Sequence, residues 1–162
     1  MKKKFLMIIL VCIVFLIIAF AILGGGEPRM KNFPELQRDY ETIVNVVQEY
    51  YANSDIKEDS IVINITDGQG EYSVLKYEDN DIPLSDDERA SLTRICTNSY
   101  TKYDYMWVSS DYVIFWDNEM KQYGVLYAKK PRSVMKDIRS WYEDLEYNRL
   151  DKNWYEIGYF GI

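Results

Sequence analysis

Nineteen consecutive residues, Phe5 to Leu23, carry no charge and no strongly polar side chain, and they follow directly on Met1-Lys2-Lys3-Lys4. A helix over such a run, at ~1.5 Å per residue, reaches about 28 Å, close to the hydrocarbon thickness of a bilayer. Everything after Gly24 differs in kind, being polar, acidic and rich in tyrosine. The first stretch therefore bears on where the remainder works.

Two readings share these features. One is an uncleaved transmembrane anchor; the other is a secretory signal peptide with a small-x-small cleavage site at Ala19-Phe20-Ala21. Ile22 and Leu23 continue the apolar run past that triplet, and no polar segment precedes it, which favours the anchor. Cleavage near Ala21 with secretion is the alternative. Three lysines before the run, with only Arg29 and Lys31 soon after it, place the N-terminus in the cytoplasm and the remainder outside. Cys12 follows Leu10-Val11, not the small residue that lipidation would need. The expected organisation is a basic start at 1–4, an anchor at 5–23, a linker at 24–32 around Gly24-Gly25-Gly26, and an extracytoplasmic domain at 33–162.

With 162 residues in all, that domain is long enough for a core without disulfide staples. Setting aside the three N-terminal lysines takes the basic count from 19 to 16, against 26 acidic residues, a net charge of −10. That balance argues against nucleic acid and against polyanionic surfaces, and suits either solubility or a basic protein partner. The chain has no histidine, which removes Ser-His and Cys-His nucleophile pairs and the usual zinc and non-haem iron ligand sets. Cys96 falls on the apolar stripe Leu92, Ile95, Cys96, Ser99 of a helix and reads as structural. No cofactor and no metal site is expected.

Along the chain, Pro34 opens a helix to about Tyr51, with Leu36, Tyr40, Ile43, Val47 and Tyr50 on one face. Ser60–Thr66 and Glu71–Tyr77 read as a hairpin about Asp67-Gly68-Gln69-Gly70, whose glycines serve a turn and not a dinucleotide loop. The acidic cluster from Glu78 to Glu88 ends in Ser85-x-x-Glu88, a capping box, so helix capping accounts for most of it ahead of a calcium site. That helix should run to about Asn98. Three strands follow, Tyr103–Ser109, Tyr112–Trp116 and Tyr123–Ala128, the second apolar on both faces and so central. Pro131 to about Leu145 reads as a third helix and Trp154–Phe160 as a last strand.

The fold class is α+β: a mainly antiparallel sheet flanked by three helices, after the membrane segment. The element order resembles the profilin-like and roadblock-type arrangement, which implies a five-stranded antiparallel sheet with flanking helices. That resemblance is one of topology and carries no functional motif.

Fifteen tyrosines and four tryptophans are the most unusual feature of the composition. Strict alternation would set Tyr103, Tyr105 and Trp107 on one sheet face beside Tyr123 and Tyr127. Exposed, such a face is a platform for sugars, peptides or a protein; covered by a helix, it is core, the commoner outcome. Asp111, Asp117 and Glu119 are the carboxylates closest in sequence, and turn polarity accounts for them more readily than acid–base work. Two functional expectations follow. The first is a membrane-anchored, outward-facing binding module, sensing a ligand or neutralising a basic protein as an immunity protein would. The second is an exported hydrolase that uses carboxylates alone, recognisable by two acids converging in a cleft about 5–10 Å apart.

Overall fold

The computed structural model describes residues 29–68, 72–117, 123–141 and 145–159. The apolar run, with its cleavage site and Cys12, lies outside the described residues, as does Glu119. Among the described residues no helix is long and apolar enough to cross a membrane. The domain is α+β. Helix α1 (Phe33–Asn53) leads to β1 (Ile61–Gly68), β2 (Tyr72–Tyr77) and β3 (Asn80–Asp81). Helix α2 (Asp86–Asn98) follows, then β4 (Tyr105–Val108), β5 (Tyr112–Asp117) and β6 (Tyr123–Ala128). Helix α3 (Pro131–Trp141), β7 (Glu146–Asp151) and β8 (Trp154–Gly158) complete it.

The strands form one antiparallel sheet in the order β3-β2-β1-β4-β5-β6-β8-β7. Eight strands exceed the five that the topological resemblance implies. β7 is one of the additional strands: its alternation Tyr147, Arg149 against Asn148, Leu150 is too polar to read as a buried strand, and it forms by pairing with β8. β5 lies in the interior of the sheet, as its apolar faces imply, and every residue from Val113 to Asp117 is buried.

Two layers of core follow from the alternation of side chains across the sheet. On one face, α1 buries Phe33, Leu36, Tyr40, Ile43, Val44 and Val47, and α2 buries Leu92 and Ile95. They pack on Ile61, Ile63, Leu75, Met106, Val108, Val113, Phe115, Val125 and Trp154. On the other face, Val134, Met135 and Ile138 of α3 pack with Ile114, Trp116, Leu126, Ala128 and Ile157. Cys96 is half-buried against the first of these layers.

Local chemistry starts and stops the helices. Pro34 occupies the first turn of α1, where its missing donor costs nothing. At α2 the capping box forms: the Glu88 amide donates to Ser85 Oγ at 3.4 Å, and the Ser85 amide donates to Glu88 Oε2 at 2.7 Å. Asp39 sits on the buried stripe of α1 because Arg94 of α2 reaches it, Nη2 to Oδ1 at 2.6 Å and Nε to Oδ2 at 3.0 Å. The two-pronged contact locks α1 to α2.

Candidate functional site

Register decides where the five aromatic candidates lie. Tyr105 stands opposite Trp116 across β4 and β5, and the Asp104 amide also donates to the Trp116 carbonyl at 3.0 Å. β4 begins only at Tyr105, so the alternation of the strand does not extend back through Asp104 to Tyr103. Tyr103 enters the α1–α2 layer while Tyr105 and Trp107 point to the α3 side. The expected single row of Tyr103, Tyr105 and Trp107 beside Tyr123 and Tyr127 is therefore corrected. Tyr103 and Tyr123 are buried, and Tyr127 packs against the α1–α2 layer beside Trp154, ring centroids 5.1 Å apart.

Tyr105 and Trp107 remain half-buried on the α3 face, beside Val62, which is 44% exposed and is the register partner of Trp107. Trp107 stacks on Trp116, centroids 6.1 Å apart at 10°, and Tyr105 lies 6.5 Å from Trp107. Trp116 can lie flat on the sheet because Gly124 stands beside it; a Cβ there would come within 2.5 Å of Trp116 Cε3. The buried residues of α3 reach β5, β6 and β8, which leaves the β1–β4 flank of this face partly open.

The buried members form a polar cluster of their own. Tyr40 and Tyr103 share a hydroxyl–hydroxyl hydrogen bond of 2.9 Å. Glu156 of β8, wholly buried, accepts from Tyr123 Oη at 2.8 Å, from the Met30 and Arg29 amides at 3.0 Å each, and from Asn148 Nδ2 at 3.3 Å. Burial pushes the Tyr40, Tyr103 and Tyr123 hydroxyls well above their ordinary pKa, with nearby Tyr103 adding to the effect at Tyr40 and Tyr123. Glu156 thus fastens residues 29 and 30 to the last strand, and Met30 is buried in the core within the span read as linker. One signal for this was present in the sequence: an acidic residue two places from Trp154 and Gly158, on the same parity of a strand. A charge there needs partners from elsewhere in the chain.

Three carboxylates were candidates by proximity in sequence. Asp111 and Asp117 stand at opposite ends of β5, six residues apart, about 20 Å at the strand rise. Asp111 is partly exposed and pairs with Lys130 at 3.6 Å, whereas Asp117 is buried. They cannot act together on one bond.

A different pair does converge. Gln37 Nε2 of α1 donates to Glu41 Oε1 at 3.0 Å and to Asp151 Oδ2, at the end of β7, at 2.9 Å. A single nitrogen holds both, so those oxygens lie within about 6 Å of each other. They rim a cleft of about 380 Å³ whose lining includes Val44, Tyr127 and Trp154, with Asn45 and Asn153 also at its edge. Pairing across 110 residues of sequence lies beyond any local pattern, which is why this pair was missed. Both acids are exposed.

The comparisons with known proteins add no relationship: no family model, no curated protein and no solved structure matches the chain.

Proposed function

We propose that this chain is a membrane-anchored, outward-facing module that binds a basic protein partner through the open β1–β4 flank. The observation that supports it is Val62, 44% exposed in mid-strand beside half-buried Trp107 and Tyr105. Rigid rings with a polar edge give contact area at low entropic cost. Exposed Glu58 and Asp59 lead into β1, and exposed Glu78, Asp79 and Asp81 lie at the β2–β3 turn. An apolar centre between acidic margins complements a basic protein, and such charge speeds encounter more than it deepens affinity. The apolar run at 5–23, with lysines before it, is what motivates the anchor and its orientation.

The test is a photo-crosslinking residue at Val62 in the full chain within its native membranes. One discrete protein adduct is expected, weakened by salt and lost in Trp107→Ala with the fold intact. Labelling no greater than from a crosslinker at Ser110 would remove the proposal.

A second reading, an exported carboxylate-dependent hydrolase, draws support from the Glu41–Asp151 convergence, two acids held by one Gln37 nitrogen at the rim of a cleft. It predicts turnover of a glycan substrate that Glu41→Gln and Asp151→Asn each abolish. Turnover unchanged by both substitutions would end it.

A further inference from the structure

Among the described residues, four large hydrophobic side chains are prominently exposed, and three of them are tyrosines: Tyr100 at 45%, Tyr147 at 40% and Tyr159 at 42%. All three lie toward one end of the sheet, Tyr147 on the α3 face with its ring 6.1 Å from that of Tyr155 and Arg139 over it at 4.8 Å. Tyr147 follows Glu146, which pairs with Gly158, and Tyr159 comes directly after Gly158. Tyr123 lies level with Gly158, because Gly124 pairs with Ile157, and the Tyr100 ring sits 5.1 Å from the Tyr123 ring. The tyrosines therefore surround one end of strands β6, β8 and β7.

The chain enters the domain at the same end. Glu156, two residues below Gly158, holds the Arg29 and Met30 amides and the Tyr123 hydroxyl. Only Gly24 to Pro28 separate that clasp from the apolar run ending at Leu23. Five extended residues span about 17 Å, so an anchored domain keeps this end close to the headgroups whatever else it does. Exposed Arg29, Lys31 and Lys102 lie here too, in a domain that is acidic as a whole.

We propose that the end of the domain bearing Tyr100, Tyr147 and Tyr159 rests on the bilayer surface, making a second membrane contact beside the anchor. The inference builds on the anchored reading above. Tyrosine suits this position because its ring enters the interface while its hydroxyl stays among headgroups and water. Cations at the same level favour phosphate-bearing headgroups. Seated this way, the domain does not tumble on its spacer, and the flank carrying Val62 keeps a fixed orientation to the membrane.

The test uses the full chain in vesicles of phosphatidylcholine and phosphatidylglycerol that carry a headgroup nitroxide quencher. A fluorophore is placed through Tyr159→Cys, Tyr100→Cys or Ser110→Cys, each with Cys12→Ser and Cys96→Ser, the third site marking the far end of the sheet. Quenching several-fold stronger at positions 159 and 100 than at 110 is expected, and it should survive a Gly-Ser insertion after Gly26. Should one labelled variant fail to fold, the other still reads the same end. Quenching that is equal at both ends, or that disappears once the spacer is lengthened, overturns the seat and leaves the anchor standing. Release of the chain by alkaline carbonate overturns the anchor, and the seat with it.

Discussion

Tyr123 donates its hydroxyl hydrogen to Glu156 at 2.8 Å in the interior of the domain, and that same carboxyl group binds the backbone at residues 29 and 30. The first described residues are thereby held to one of the last strands. The contact links the two ends of the described residues through one side chain.

Removing Glu156 should accordingly loosen the entry of the chain. Glu156→Ala strands several buried donors and is expected to cost about 3 kcal/mol, whereas Tyr123→Phe removes one bond and costs about 1–2 kcal/mol. Denaturant unfolding measures both. Exchange of the Met30 amide should speed up in the first variant far more than exchange at Ile43. A Glu156→Ala chain as stable as the parent would show that the clasp contributes nothing.

Alkaline pH should unfold the domain through its buried tyrosines. Tyr40, Tyr103 and Tyr123 ionise near their ordinary value of 10.0 when unfolded and well above it when folded. Their contribution is complete below pH 10 and is lost as pH rises above it, because the unfolded chain releases protons that the folded chain retains. Each group adds up to about 1.4 kcal/mol per pH unit to that fall. Phenolate absorbance read against circular dichroism should show late tyrosines titrating together with unfolding. Titration of every tyrosine in a still-folded chain contradicts this.

The Asp39–Arg94 contact should show the opposite dependence. The Arg94 guanidinium bonded to Asp39 holds that carboxyl below its ordinary value of 3.8. The stabilisation is present above that value and disappears as pH falls through the lower folded pKa. Asp39→Asn is expected to lose about 1–3 kcal/mol at neutral pH, and to differ little from the parent once the medium is acid enough to protonate Asp39. Unfolding curves at the two pH values decide it.

Gly124→Ala tests the fit of Trp116 on the sheet. The new methyl group would meet Trp116 Cε3 at 2.5 Å and the Phe115 carbonyl oxygen at 2.7 Å, and the backbone oxygen cannot step aside. A loss of about 1–3 kcal/mol is expected, together with altered tryptophan fluorescence as the Trp107–Trp116 stack is displaced. An unchanged spectrum and an unchanged midpoint would show that the ring is not seated there.

Much of the architecture follows from local pattern. The stripe Leu36, Tyr40, Ile43, Val47 and the Ser85–Glu88 box define two helices, and the two-sided apolar run at β5 puts it in the sheet interior. These features repeat at the period of the element that they form, so nearby residues suffice. The class, α+β with an antiparallel sheet, was legible for that reason. The location of the aromatic candidates was not. β4 starts at Tyr105, two residues later than the alternation suggests, so Tyr103 is free of the strand's parity and turns away from Tyr105. β7 was invisible because its strand character comes from β8, and the parity of Glu156 hinted at burial without naming its donors, which arrive from Arg29, Met30, Tyr123 and Asn148. Glu41 and Asp151 meet only where α1 passes the end of β7. Periodicity records which face of an element is apolar; which distant groups satisfy a buried charge or converge on a cleft depends on how those faces pack, and packing is a property of the whole chain.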